Sequence, residues 1–465
     1  MFRWSLHLMG LGIEKTNRVC KSCLPALAVG MVLLTPVIAL GGLNASFLSA
    51  VYKGDRQEVK TLLDLGADLD ARTSKGSTAL IVAVAGKHPA IVSALLKRGA
   101  KVNARNRYDD TALIIAATLG DTDTARKLLE AGADINARNM FGWTSLARTA
   151  RYGQLETMKL LIEHGADLEV SIRDGSTPLM IAIGEHHFDA VNELIVHGAR
   201  VGARNGKGIT PLWLAAFNGR ADIMKTLIRH GANLGVKNSA GDTVLILATQ
   251  RGFPDCVQVL LDHDADVNAQ NKLGRTALAK AAQYGQIDTA RLLIAGGAKV
   301  DSRTRGASTP LMVAAERGYL DLVRLLIDSK ADVGAKSKNG ATPLMSAAAG
   351  GHADVVQLLI NSGASIGDTL ANGSTVLMVA AERGRGDVVD ILLEHGADIH
   401  ARSKKGWTPL MGAAAGGYTG LAKLFLKKGA DAGIKSRNGW TAYKIASKLK
   451  RTEILELFQE AGIRE

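Results

Sequence analysis

Residues 309–341 read TPLMVAAERGYLDLVRLLIDSKADVGAKSKNGA, and residues 342–374 repeat the pattern as TPLMSAAAGGHADVVQLLINSGASIGDTLANGS. A threonine opens each copy, and no insertion disturbs the 33-residue spacing along twelve copies. These threonines are Thr78, Thr111, Thr144, Thr177, Thr210, Thr243, Thr276, Thr309, Thr342, Thr375, Thr408 and Thr441. A constant period of this length indicates a solenoid, in which each repeat buries its apolar face only by stacking against its neighbours.

Each repeat predicts two short amphipathic helices joined by a turn. The opening threonine can cap free backbone amides, and a proline often follows at the first helical position, as in Thr309-Pro310. The second helix begins near an acidic residue such as Asp321, which the positive end of the helix dipole favours. A glycine then supplies the left-handed conformation that ends the helix. Asp264 and Lys330 replace this glycine in two repeats, at a cost of about 1 kcal/mol each.

These motifs resemble the ankyrin repeat family. The resemblance lies in the T-P-L-x-x-A-A-x-x-G opening, the paired leucines of the second helix and the G-A-D-x-N-A close, and it runs from about Leu43 to Glu465. It implies an all-α ankyrin-repeat solenoid of about 13 stacked units, each a helix-turn-helix with a β-turn or hairpin finger. We predict an N-terminal capping unit at 43–77, in which Ala45 occupies the threonine position, internal units at 78–440 and a C-terminal capping unit at 441–465.

One position departs from the family pattern. The family has a histidine after T-P-L that ties neighbouring hairpins through hydrogen bonds, whereas this chain has an apolar residue there, as at Ile114, Met312 and Met345. We therefore expect the stack to depend more on packing and less on that polar tie.

The charge of the chain has a regular position in the repeat. The formal net charge is +13, which can indicate nucleic acid, an anionic membrane or an acidic partner. A basic row lies six residues before the threonine in most repeats, at Arg72, Arg105, Arg138, Arg204, Lys237, Arg303, Lys336, Arg402 and Lys435. We interpret the row as solvated hairpin residues, because basic residues without interleaved aromatics are weak signals of nucleic-acid binding. The alternative is a polyanion or anionic membrane-surface binder.

The N-terminal segment has the character of an export signal. Arg3, Lys15 and Arg18 precede an apolar run from Leu24 to Leu40, which predicts a signal peptide at 1–39. The protein would then be periplasmic or secreted. An uncleaved leader would anchor it to a membrane with the array outside the cytoplasm, and a misjudged start would leave it cytosolic. Once the leader is removed, Cys256 remains without a partner for an internal disulfide.

No pattern in the sequence points to catalysis, a cofactor or a metal. Histidines recur at one position of the repeat, at His164, His197, His230, His263 and His395. Successive repeats of such stacks lie about 10 Å apart, whereas zinc binds its ligands at about 2 Å, so the row cannot share one ion. We interpret these histidines as structural residues at helix C-termini, where a charged imidazole interacts favourably with the helix dipole.

The resemblance implies that partners bind in a concave groove formed by hairpin tips and first helices. The exposed positions there are four, three and one before the threonine, and seven and eight after it. The candidate partner-binding residues at these positions are Phe141, Trp143, Arg151, Tyr152, Ile209, Phe217, Tyr284, Arg317, Arg383, Trp407 and Trp440. Trp, Tyr and Arg are the commonest energetic anchors of protein interfaces. We therefore predict a monomeric, non-catalytic protein–protein interaction scaffold without specific nucleic-acid binding. A tryptophan just before the threonine can instead fold over its own hairpin.

Overall fold

The computed structural model describes residues 42–464. Within these residues the chain forms 26 α-helices, and its only β-structure is three isolated bridges in the connecting segments. The predicted all-helical repeat architecture is therefore confirmed. The predicted leader at 1–39 lies outside the described residues. Within 42–464, none of the helices has the length and apolar character needed to cross a membrane.

The described residues divide into two compact units, one of residues 42–218 with 225–232, the other of residues 219–224 with 233–464. The first unit contains α1 Leu43–Lys53, α2 Arg56–Asp64, α3 Ala79–Ala85, α4 Pro89–Lys97, α5 Ala112–Leu119, α6 Thr122–Glu130, α7 Ser145–Tyr152, α8 Leu155–Glu163, α9 Pro178–Gly184, α10 Phe188–Val196 and α11 Pro211–Phe217. Residues of both units form α12, Ala221–Arg229. The second unit contains α13 Val244–Arg251, α14 Pro254–Leu261, α15 Ala277–Tyr284, α16 Ile287–Ala295, α17 Pro310–Arg317, α18 Leu320–Asp328, α19 Pro343–Gly350, α20 Ala353–Asn361, α21 Val376–Glu382, α22 Gly386–Glu394, α23 Pro409–Gly416, α24 Thr419–Lys427, α25 Ala442–Lys448 and α26 Thr452–Glu460.

The repeated threonine begins the first helix of each repeat. All twelve threonines are N-caps whose side-chain oxygen accepts a hydrogen bond from the backbone N–H three residues later. In α17, for example, the N–H of Met312 donates to Oγ1 of Thr309 at 3.3 Å. Small buried residues follow, such as Ala314 and Ala315, and they allow the first helices of neighbouring repeats to approach closely. The sequence prediction for this helix is confirmed.

The second helix packs one apolar face inward and ends at a left-handed residue. In α18 the buried residues are Leu322, Val323 and Leu326. Glycine occupies the left-handed position in most repeats, but Asp264 and Lys330 adopt φ values of 60° and 69° there. Because a Cβ atom crowds the backbone in this conformation, both positions carry the predicted strain.

Hydrogen bonds between turn tips join neighbouring repeats. In each case the donor is the backbone N–H of the residue four positions before a repeat's threonine. The acceptor is a backbone carbonyl in the turn of the preceding repeat, three positions before that repeat's threonine. Within the second unit, Arg305 donates to Leu273 at 2.9 Å and Lys338 donates to Gly306 at 3.0 Å. These backbone bonds provide a polar tie between repeats despite the apolar residue in the family's histidine position. The stack therefore depends less exclusively on packing than the sequence suggested.

The basic row takes part in the same connection between repeats. Its side chains donate to the backbone carbonyl of the row position in the next repeat, as Arg105 does to Arg138 at 2.8 Å and Arg303 does to Lys336 at 2.9 Å. Bonds of this kind start from Arg72, Arg105, Arg138, Lys237, Arg303 and Arg402. These exposed residues are therefore also structural links, a role that the sequence interpretation as solvated hairpin residues did not include.

The first helix of the N-terminal capping unit begins two residues before the position that corresponds to the repeated threonine. Helix α1 starts at Leu43, and Gly42 is its N-cap. Ala45, which occupies the threonine position of this unit, therefore lies inside the helix. Without a threonine to fix the start, the helix extends toward the N-terminus and contains 11 residues.

Relieving the strain at a left-handed position should stabilise the protein. We expect Lys330→Gly to raise the free energy of unfolding by about 1 kcal/mol, because glycine adopts this φ without steric cost. Gly363→Ala is the matched control, since its φ is 90° and an added Cβ would meet no atom within 4 Å. It should lower the stability by a similar amount. Urea unfolding measures the free energy of unfolding of both variants. A Lys330→Gly variant that is less stable than the wild type would show that Lys330 is not strained.

Removing one link of the basic row should weaken the stack. We expect Arg105→Met to lower the free energy of unfolding by about 1 kcal/mol, because the carbonyl of Arg138 loses its charged donor. Arg107→Met removes the same charge two residues away, where the side chain is exposed and makes no hydrogen bond within residues 42–464. That control should stay within about 0.5 kcal/mol of the wild type. Equal urea midpoints for the two variants would count against the link.

Candidate functional site

The turn before α7 presents two apolar side chains to solvent. Asn139 shapes this turn, because its Oδ1 accepts hydrogen bonds from the N–H groups of Phe141 and Trp143 at 3.0 and 2.9 Å. Met140 and Phe141 are 40% and 44% exposed at the tip. Arg173, on the turn of the next repeat, lies over the Phe141 ring at 5.7 Å from its centroid. The turn thus carries an apolar tip with a cation beside it.

The Trp143 ring contacts two guanidinium groups. Arg148 lies 4.9 Å and Arg151 lies 5.1 Å from its centroid, and Arg151 is also 5.9 Å from the centroid of Tyr152. All four side chains are half-buried. Helix α7 supplies both arginines and Tyr152, so one turn and one helix build a compact aromatic and cationic surface. Contacts of this kind stabilise by about 0.5–2 kcal/mol, more when they are desolvated.

Arg148 is costly to bury, and the sequence analysis did not select it. Its Nε is buried without a hydrogen-bond partner among the described residues. Burial lowers the pKa of its guanidinium, although Asp110 and Tyr152 favour the charged form. Asp110 immediately precedes Thr111, which opens the preceding repeat. Its Oδ1 accepts a hydrogen bond from Nδ2 of Asn139 at 2.8 Å. The Arg148 site comprises Asp110, Asn139, Trp143, Arg148, Arg151 and Tyr152.

The second unit contains a site of the same construction. Lys280 on α15 is 7% exposed, and its Nζ lies 5.9 Å from the ring centroid of Tyr284. Asn271 donates to Oδ1 of Asp242 at 2.7 Å and accepts from the N–H groups of Leu273 and Arg275. Burial lowers the pKa of the Lys280 ammonium; Asp242 favours its charged form, and Arg275 opposes it. The Lys280 site comprises Asp242, Asn271, Arg275, Lys280 and Tyr284.

Four residues of the two sites correspond at a spacing of four repeats. Asp110, Asn139, Arg148 and Tyr152 each precede their counterparts Asp242, Asn271, Lys280 and Tyr284 by 132 residues. Among the twelve threonine-led repeats, a basic residue occurs four positions after the threonine only at these two places. Aspartate precedes the threonine only in the two repeats immediately before them. This joint deviation from the repeat consensus is the signal in the sequence that marks the two sites.

Ile209 and Phe217 lie two repeats beyond Trp143 and are half-buried. The intervening repeat exposes charged residues at the corresponding positions, among them Arg173, Asp174 and Glu185. The aromatic group around Trp143 and the apolar pair at Ile209 and Phe217 are therefore separate patches of the first unit.

The remaining candidate residues lie in the second unit. Tyr284 is 42% exposed beside Lys280, and Arg317 and Arg383 are exposed at the ends of the first helices of their repeats. Trp407 and Trp440 are half-buried, and their backbone N–H groups donate to serines of their own turns. Only Tyr284 belongs to the Lys280 site.

The row of histidines is tied to its own helices. Nδ1 of His164 lies 2.8 Å from the Leu160 carbonyl, and the same contact with the carbonyl four residues earlier recurs at His197, His230, His263 and His395. A carbonyl only accepts hydrogen bonds, so Nδ1 must carry the proton in each case. Among residues 42–464, no three His, Cys, Asp or Glu side chains are grouped as a metal site requires.

Comparison with known proteins agrees with the repeat structure. The sequence model of the family described as "Ankyrin repeats (3 copies)" matches residues 47–139, 137–205, 185–271, 212–304, 265–337, 311–403 and 398–464. These overlapping matches cover most of the chain. A search of curated proteins finds no match.

Replacing the buried lysine should stabilise the second unit in a pH-dependent way. The folded-state pKa of Lys280 is below its unfolded value of about 10.4, so the charged form costs stability at neutral pH. This cost disappears as the pH rises toward the unfolded pKa. We expect Lys280→Met to raise the free energy of unfolding by about 1 kcal/mol at neutral pH, because methionine fills the space without a buried charge.

Urea unfolding at about pH 7 and about pH 9.5 measures this gain, which should narrow at the higher pH. Lys338→Met is the control, because Lys338 is an exposed cation of the same unit, and it should change stability little at either pH. A Lys280→Met variant that is less stable than the wild type at neutral pH would contradict the cost of burial.

Proposed function

Because the chain belongs to the ankyrin-repeat family, whose members generally mediate protein–protein interaction, we propose that it is a non-catalytic scaffold that binds a partner protein. The partner contacts the turn tips and first helices, and the chemistry of the interface is that of aromatic and arginine anchors. Helices joined by repeated caps and inter-repeat hydrogen bonds hold these anchors in place before binding. Such preorganisation lowers the ordering cost of association.

One observation carries this proposal. Met140, Phe141, Trp143, Arg151 and Tyr152 stand together on one turn and one helix of the first unit, exposed or half-buried. Trp, Tyr and Arg are enriched among the few residues that carry most of the binding energy of protein interfaces. An aromatic ring already flanked by guanidinium groups offers a partner both apolar area and charged donors without further rearrangement.

The polyanion alternative has weaker support. It relied on the basic row, and several members of that row donate hydrogen bonds to backbone carbonyls of the next repeat. Those nitrogens are partly engaged before any ligand arrives. The geometry therefore favours a protein partner.

The setting of this interaction is part of the proposal and rests on the sequence. The leader predicted at 1–39 supports a periplasmic or secreted scaffold, or a membrane-anchored one with the array outside the cytoplasm. Cys256 is compatible with an oxidising compartment, because it is fully buried, and burial, with Asp255 and Asp222, raises the pKa of its thiol to about 12. A buried neutral thiol is inert.

The aromatic group around Trp143 can be tested by removing its two rings. We expect the double variant Trp143→Ala with Tyr152→Ala to keep the wild-type circular dichroism spectrum and to bind its partner at least about 10-fold more weakly. Partners are captured from the native source by crosslinking and pull-down, and then quantified by mass spectrometry.

The matched control is Leu65→Ala with Val196→Ala, which removes two exposed apolar side chains at the ends of second helices. It should capture the same partners as the wild type. A Trp143 and Tyr152 variant that is folded and captures those partners equally well would show that this group is not the binding site.

A further inference from the structure

The Arg148 and Lys280 sites contain charges that the fold does not require. Arg148 and Lys280 lie four residues after the threonine of their repeats. The residue at this position is apolar in other repeats, for example Ile115, Ile181 and Leu214. An apolar side chain there packs without the desolvation cost that lowers the pKa of both cations. Residues that cost stability and break a consensus point to a role in recognition.

Neither buried cation is neutralised by a direct ion pair. Within residues 42–464, Arg148 forms no salt bridge with Asp110, and Lys280 forms none with Asp242. Each aspartate instead accepts a hydrogen bond from an asparagine of the next turn, at 2.8 and 2.7 Å. The aspartates therefore reduce the positive potential of each site, but they do not accept hydrogen bonds from the guanidinium of Arg148 or the ammonium of Lys280.

The charge balance is the same in both sites. Arg148 and Arg151 against Asp110 leave one positive charge in the first site. Lys280 and Arg275 against Asp242 leave one positive charge in the second. The missing group is therefore a single negative charge at each site.

We propose that each site binds one carboxylate from an acidic segment of the partner protein. This inference rests on the proposed function and deepens it, because it names the chemistry of the partner surface. A carboxylate carries the single negative charge that each site lacks, and it accepts hydrogen bonds from guanidinium and ammonium groups. The Trp143 ring lies 4.9 Å from Arg148 and the Tyr284 ring lies 5.9 Å from Lys280. An apolar ring beside an ion pair lowers the local dielectric, which strengthens the attraction.

A carboxylate fits these sites better than a phosphate group or a polyanion. A phosphate monoester carries a charge of about −1.5 to −2 near neutral pH, and Asp110 and Asp242 repel the excess. The same repulsion opposes a continuous run of phosphates or sulfates. The aspartates thus act as selective elements against highly charged ligands.

The sites can be tested with a defined probe. The probe is a fluorescein-labelled peptide of alternating Glu and Gly, and its counterpart contains Gln in place of Glu. Fluorescence anisotropy at physiological salt, with the full-length protein, measures the dissociation constants. We expect the Glu peptide to bind at least 10-fold more tightly than the Gln peptide. Because each site binds one carboxylate, Arg148→Met and Lys280→Met should each halve the number of peptide sites, and the variant with both changes should bind the Glu peptide about 10-fold more weakly.

The matched controls are Arg126→Met and Arg291→Met, which remove exposed cations from second helices of the same two units. Their dissociation constants for the Glu peptide should stay within about 2-fold of the wild-type value, because dissolved salt screens the attraction between exposed charges. Urea unfolding of the same samples should show that Arg148→Met and Lys280→Met remain folded, so a loss of binding reports on the site.

Several outcomes would overturn the inference. Equal binding of the Glu and Gln peptides would do so, as would equal losses in the Met variants and in the controls. Displacement of the Glu peptide by heparin or by anionic phospholipid vesicles, with all four variants weakened alike, would assign the surface to polyanions. If Trp143→Ala with Tyr152→Ala loses the native partner while Arg148→Met and Lys280→Met retain it, the proposed function stands and the carboxylate inference fails.

Discussion

Stacking in a fixed 33-residue register is the constraint on which the structure of each compact unit depends. An internal repeat contains only two helices of seven to nine residues, and it cannot bury its own apolar face. Each turn tip is also tied to the next by a backbone hydrogen bond, such as that from Arg305 to Leu273. An insertion of one residue would break the backbone hydrogen bonds between the turn tips. It would also rotate the apolar face of the helix that follows out of the core. This explains why the spacing tolerates no change along twelve repeats.

The regularity of the stack makes its exceptions informative. Most positions are filled by the residue that the register favours: threonine at the cap, alanine at the helix contact and glycine at the left-handed turn. Arg148 and Lys280 are exceptions that cost stability, and each is accompanied by an aspartate from the preceding repeat. The strained Lys330 is a different kind of exception, because it lies at a solvent-exposed turn and belongs to neither site. The first kind implies recognition, and nothing in the structure explains the second.

The aromatic group around Trp143 shows how one repeat becomes different from its neighbours without leaving the fold. The asparagine that shapes its turn, Asn139, also occurs at the corresponding position of other turns, including Asn205 and Asn271. The backbone conformation of this turn is therefore shared with other repeats. What distinguishes this repeat is the set of side chains on the turn tip and on α7. This repeat therefore differs from its neighbours in the side chains that it displays, while the turn that carries them is shared with other repeats.

The sequence by itself determined the repeat, the helix boundaries set by Thr and Gly, the fold class and the position of Trp143 and Tyr152 on one repeat. These features are local, because a cap, a turn or a helical face is specified by residues only a few positions apart. Only the tertiary structure decided which repeats' side chains meet. Asp110 and Arg148 are 38 residues apart in the chain, and Arg105 bonds to a carbonyl 33 residues later. Such pairs come together because stacking places successive repeats side by side, and the distance and burial that make them costly or useful exist only once the stack has formed.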